Sequence, residues 1–215
     1  VKIVITNDDG VDAPGLEALA RCARRLGDVV IVAPQHAQSG IAHRVTTHDP
    51  IRIHQLEPNR HSIDGTPADC TRIALKVIAP DSDWLISGIN AGANLGSDVY
   101  NSGTVAAARE AAILGYRAIA VSQYVAKDQN VDWAVTGDHA CPVLQMLLSR
   151  DPAPAKDPGA APVPGAAKSV SAAGGDDGGV GVPQGLLRIP MGRSRVDVPP
   201  GDRTQAEPGP GPLLV

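Results

Sequence analysis

Two adjacent carboxylates, Asp8 and Asp9, stand in Asn7-Asp8-Asp9-Gly10, directly after the short apolar run KIVIT at residues 2–6. Holding two such charges together is costly without a cation. A hard divalent ion, Mg²⁺ or Mn²⁺, prefers oxygen ligands and resolves the repulsion. Taken alone, the tetrapeptide reads rather as an Asx-turn with solvated carboxylates. Ser39, in Pro34-Gln35-His36-Ala37-Gln38-Ser39-Gly40, offers a hydroxyl to a metal or a phosphate, or simply a solvated loop. Gly88-Ile89-Asn90-Ala91-Gly92-Ala93-Asn94-Leu95-Gly96 packs three glycines and two asparagines into nine residues. Such a loop lets backbone approach a ligand, with the amide oxygens of Asn90 and Asn94 suited to an oxygen coordination shell, or it is a turn-rich connector with no ligand. Asn101-Ser102-Gly103-Thr104 precedes a helix, so hydroxyls and unpaired N–H groups collect where a phosphate binds, or where Ser102 merely caps.

Other chemistries lack their signatures. There is no GxxxxGK[ST] loop, no GxGxxG fingerprint, no HExxH and no GxSxG elbow. His36 and His43 flank Ser39 in sequence and could assist proton transfer, but position is their only support and a solvated loop is the favoured reading. Cys22, Cys70 and Cys141 are odd in number and far apart, which argues against a disulfide framework or a zinc cluster.

The elements that position these residues alternate. Residues 2–6, 29–33, 84–87 and 118–122 are short apolar runs expected as strands, with weaker candidates at 44–47, 50–54 and 61–64. Helices are expected at 14–26, from Pro67 with Thr66 as N-cap, at 103–114 and at 132–149, the last kinked or restarted by Pro142. On the second helix Cys70, Ile73, Ala74 and Val77 share the inward face. Alternation implies an α/β fold, a mostly parallel sheet with helices on both faces. Ligands then sit beyond the carboxyl ends of the strands, where all four motifs fall.

The chain has 215 residues, and 19 basic against 23 acidic residues leave a net charge of −4, which disfavours a specific nucleic-acid binder. Apolar residues make up 43%, with no Phe, so Val, Ile, Leu and Ala must build the core. No apolar run reaches 18 residues, so neither a transmembrane helix nor a secretory leader is expected, and a cytoplasmic protein away from membranes is the expectation. Composition changes at Arg150. Residues 1–150 hold 11 Gly and 7 Pro, whereas 151–215 hold 12 of each and no aromatic residue. The expectation is a folded domain over 1–150 and an irregular, disordered Pro/Gly/Ala-rich tail over 151–215, with a weak strand near 185–190.

Read together, KIVITNDDGVDAPGLEALA, VAPQHAQSG, IDGTPADC, SGINAGANLG and SGTVAAAREAAILG resemble the SurE family of 5′/3′-nucleotidases, in family order over residues 1–150. The resemblance implies a Rossmann-like core that hydrolyses nucleoside monophosphates with one divalent metal, in a homodimer or tetramer. Position by position it implies Asp8, Asp9, Ser39 and Asn90 as metal ligands, and Asn94, Ser102, Gly103 and Thr104 around the phosphate. Asp8, Asp9 and Asn94 then carry catalysis. The chain departs from the family at Gln35, His36 and Gln38, where charged residues are usual, and beyond residue 150, where the family's protruding hairpin and its GYVSITPL-like stretch have no counterpart. The chemistry implied is hydrolysis by a metal-activated water. An aspartyl-phosphate route is disfavoured, because carboxylates engaged by a metal are poorly free to attack. Two rival readings remain: an impaired nucleotide- or phosphate-binding protein, and a Rossmann-type cofactor enzyme without the usual glycines.

Overall fold

A computed structural model describes residues 1–125, 130–150 and 186–187. Seven strands form one sheet in the order β6-β5-β1-β2-β4-β3-β7. They are β1 (Lys2–Thr6), β2 (Asp28–Pro34), β3 (Ile51–Glu57), β4 (Arg60–Ile63), β5 (Trp84–Ala91), β6 (Arg117–Gln123) and β7 (Leu186–Leu187). The pairs β1–β2, β1–β5, β2–β4 and β5–β6 are parallel; β3 runs antiparallel to β4 and β7. The helices are α1 (Pro14–Ala23), α2 (Pro67–Ile73), α3 (Asp98–Asn101), α4 (Gly103–Ile113) and α5 (Trp133–Arg150).

The central strands are apolar on both faces because both are covered. On one side Ile3, Ile5, Ile31, Ile86 and Ile119 pack under α1 and α5 through Leu16, Leu19, Cys141 and Leu144. On the other, Val4, Val30, Val32 and Leu85 pack under α2 and α4 through Cys70, Ile73 and Ala111. The expected doubly covered α/β sheet is therefore present. The chain leaves β1 toward β2 on one side and returns through β5 on the other, so β1 and β5 flank the point where the direction of winding reverses. A crevice opens at the carboxyl ends of strands at such a point.

Several details differ from the sequence expectation. Residues 44–47 form no strand; they lie over α2 and are held there by hydrogen bonds to its first turn. β5 runs on to Ala91, so Asn90 is a strand residue rather than a loop residue. α5 continues through Pro142 as one helix. Val77 is 44% exposed instead of buried. Beyond Ile73 the helix widens into a π-turn at Ala74–Ile78, closed by Ala79 N–H to Ala74 O at 2.7 Å, and the wider turn replaces Val77 with Leu75 in the core. The tail expectation falls, apart from the pairing of Leu186 and Leu187 with β3, outside the described residues.

Thr66 and Asp69 form a reciprocal capping box at the start of α2. The Thr66 hydroxyl also donates to Arg44 O at 2.7 Å. Thr66→Ala should therefore cost about 1–2 kcal/mol of stability in urea unfolding, and Thr66→Ser much less. Equal losses from the two variants would show that the hydroxyl contributes nothing.

Candidate functional site at the β1–β5 crevice

The turn after β1 braces itself. Asn7 is fully buried; its side-chain amide donates to Gly10 O at 2.9 Å, and its oxygen accepts from Gly10 N–H at 3.2 Å. This fixes Asp8 and Asp9 at the sheet edge. Asp8 points inward and is only 4% exposed. Asp9 is half-buried and accepts from the N–H of Ala91 at 3.1 Å, which ties the turn to the end of β5.

β5 delivers Asn90 by a bulge. Ser87 pairs with Ala120 but Asn90 pairs with Ser122, so β5 carries one residue more than β6 over this stretch. The extra residue turns Asn90 to the face that Ser87 occupies. Gly88 sits in the bulge at φ +129°, and a Cβ there would lie 2.2 Å from Val121 O, so only glycine fits. The Asn90 amide donates to Gly92 O at 2.8 Å, which orients its oxygen toward α4.

α4 supplies Thr104, fully buried at its first turn. The Thr104 hydroxyl lies 2.5 Å from Asp8 Oδ1 and 3.2 Å from Asn90 Oδ1. A hydroxyl has one hydrogen to donate. Three oxygens, one of them anionic, thus converge around a single proton, an electron-rich cluster suited to a hard cation. Gly103 allows this approach, since a Cβ on it would meet Asp8 Cβ at 2.7 Å. The Ser102 hydroxyl accepts from Val105 N–H at 3.1 Å, so the capping role is realised.

Burial raises the pKa of Asp8 above its ordinary 3.8. The hydrogen bond from Thr104 works against that rise, the neighbouring Asp9 charge adds to it, and the backbone N–H groups of Asp8 and Thr104 lower it. Among the described residues no three of His, Cys, Asp and Glu stand together as a metal cluster. A cation here would find the neutral oxygens of Asn90 and Thr104 beside the Asp8 carboxylate.

The remaining candidates lie around this centre. Asn94 donates to Ser122 Oγ at 2.8 Å. Ser39 is exposed, on a loop whose Gln38 N–H donates to Asp8 O at 2.7 Å; among the described residues it has no side-chain hydrogen bond to the other candidates. His36 is exposed, and His43 is bound by Glu110 at 2.8 Å. Sequence reasoning passed over three hydroxyls. Thr6, Ser87 and Ser122 each close an otherwise apolar strand run. Thr6 and Ser87 are register partners, fully buried, and their hydroxyls have no hydrogen-bond partner among the described residues. Val4 and Leu85, two residues earlier, belong to the cluster under α2 and α4, so both hydroxyls point to the α4 side beneath Asp8. A polar residue ending each buried run was the available signal.

The fold and crevice define a doubly wound α/β protein whose candidate site is built from carboxylate, amide and hydroxyl oxygens at a helix N-terminus. The family model "Survival protein SurE" matches residues 3–167, and the chain belongs to this family. A putative 5′-nucleotidase of Synechocystis sp. is 48% identical over 154 residues, 72% of this chain and 68% of that protein. The 5′-nucleotidase SurE of Methylorubrum populi is 43% identical over 153 residues, 69% of this chain and 60% of that protein. The crystal structure of the SurE protein from Aquifex aeolicus superposes with a TM-score of 0.66 at 35% identity, covering 69% of this chain and 60% of that one. The chain thus spans about 60–70% of the length of these relatives. No described helix is long and apolar enough to cross a membrane.

The raised pKa of Asp8 makes its protonated form the one the fold favours. That contribution to stability is complete below 3.8 and is lost as pH rises through the raised value. Without divalent cations, Asp8→Asn should therefore melt higher than the parent at neutral pH, and the gap should narrow on acidification. Calorimetry showing equal melting at neutral pH would refute this account.

Proposed function

We propose that the chain is a divalent-metal-dependent phosphomonoesterase that hydrolyses nucleoside 5′- and 3′-monophosphates to nucleoside and phosphate. The observation that supports it most is the convergence of Asp8 Oδ1, Asn90 Oδ1 and the Thr104 hydroxyl at the start of α4. Kinship with proteins named 5′-nucleotidase points the same way. Asp8, Asp9, Ser39 and Asn90 would hold one Mg²⁺ or Mn²⁺. Bound there, the ion would polarise a phosphoryl oxygen and acidify a water.

The chain's own residues do the rest. Asp8 and Asp9 provide the negative charge that makes the site selective for a cation. Thr104 keeps the buried Asp8 oriented and can turn its proton toward Asn90. Asn94 has two amide hydrogens, one taken by Ser122; the other is available to a phosphoryl oxygen. Ser102, Gly103 and Thr104 bring a helix N-terminus, with its partial positive charge, to the same place. Charge developing on the transferring group is thereby met by fixed donors. A cytoplasmic location and a homodimer or homotetramer belong to the same reading, on the family resemblance.

A panel of nucleoside monophosphates, assayed against Mg²⁺ and Mn²⁺, tests the proposal. Turnover should require the metal, and Asp8→Asn should abolish most of it while leaving the circular dichroism spectrum unchanged. Asn94→Asp, which turns a donor into a repelling charge, should raise KM for the monophosphate, and inorganic phosphate should compete with substrate. Metal and phosphate binding without turnover would favour the binding-protein reading instead; turnover unaffected by Asp8→Asn would remove the site assignment.

A further inference from the structure

The loop that carries Ser39 is fastened far more heavily than a surface connector needs. On its near side Gln38 N–H donates to Asp8 O at 2.7 Å. On its far side, four of the five residues 42–46 are tied to helices or their caps. Ala42 N–H donates to Asn101 O at 3.0 Å, at the end of α3. His43 Nε2 meets Glu110 Oε2 on α4 at 2.8 Å. Arg44 O accepts from Thr66, the cap of α2, and Thr46 reaches Asp69 with its N–H at 2.9 Å and its hydroxyl at 2.7 Å. Only Ser39, Gly40 and Ile41 lie between the two fastenings.

The backbone at the far fastening is strained. Ala42 has φ +54°, the one described non-glycine residue with positive φ. An alanine holds that conformation only where its surroundings over-determine it. The residue next to it, His43, makes the contact best placed to do so. Its partner Glu110 is 9% exposed and is also met by Arg72 Nε at 3.6 Å, so the carboxylate is fixed from α2 as well. A short hydrogen bond to a charged, immobilised acceptor is among the stronger side-chain ties.

We propose that His43, anchored by Glu110, is a positioning residue that holds the Ser39 loop against the Asp8–Asp9 turn. It touches neither substrate nor metal, and it acts through Ser39. Its bearing on metal binding rests on the reading of Ser39 as a ligand given above; its bearing on the loop does not.

Full-length His43→Ala, His43→Gln, Ser39→Ala and the His43→Ala/Ser39→Ala pair test this. Without metal, His43→Ala should speed hydrogen exchange of the two bonded loop amides, those of Gln38 and Ala42, by about tenfold or more, as expected for one lost charge-assisted hydrogen bond. Amides within α4, such as Ala106, should not change. Glutamine can still donate to Glu110, so His43→Gln should restore most of the protection. By Mn²⁺ titration followed by electron paramagnetic resonance, His43→Ala should weaken binding several-fold. The double variant should be no weaker than Ser39→Ala, because the two residues act as one unit. Unchanged exchange at Gln38 and Ala42 in His43→Ala overturns the proposal, as does additive weakening in the double variant. If the parent binds no Mn²⁺ while the loop still opens in His43→Ala, the positioning role stands and the metal assignment falls.

Discussion

The structure depends on keeping one carboxylate out of water. Asp8 is buried at the edge of the sheet, and burial alone opposes its charge. Its nearest protein donor is the Thr104 hydroxyl, brought from 96 positions away. That contact requires β1 in the sheet, α4 docked over it, and a residue at position 103 with no side chain. The braced Asn7–Gly10 turn, the β5 bulge and the capped start of α4 each satisfy part of this demand.

The geometry places a buried carboxylate beside a helix N-terminus at the open edge of an ordinary α/β scaffold. Strands β1 and β5 meet where the winding reverses, so their carboxyl ends are not roofed by a crossover. One helix N-terminus enters that space, and its field favours negative charge. The chain places its own carboxylate there first. A phosphate arriving at the same place would need a counter-charge, which is the physical reason a divalent cation and a helix terminus belong together in the proposed reaction.

Much of the sheet edge is legible in the sequence alone. Apolar runs in strand lengths, Thr66-Pro67 before Asp69, and the clustering of Asp, Asn, Ser and Gly after strands mark the sheet edge because each reflects local chemistry. The bulge at Gly88 was not legible, since it depends on Val121 O crowding the strand from its neighbour. Nor was the π-turn that exposes Val77, because periodicity assumes an unbroken α-helix. The anchoring of residues 42–46 was also hidden: the segment looks like a strand candidate by composition, and only its tertiary partners Glu110, Thr66 and Asp69 decide otherwise. The motifs name the candidate residues; long-range crowding determines which way they face.

Helix α4 carries a last implication. Its buried surface is made of Val105, Ala106, Ala107, Ala108 and Ala111, alongside Gly103, Thr104 and Glu110. Alanine has no rotamers, so most of this interface has no internal freedom to lose on folding and none to exchange afterwards. α2 adds a fixed point through the Thr71 hydroxyl, which donates to Ala107 O at 3.2 Å. Such a helix behaves as a stiff bracket. Thermal jostling of side chains, which would smear the aim of a Leu- or Met-lined mount, has almost nothing to act upon here, and the first turn of α4 inherits its accuracy from the backbone alone.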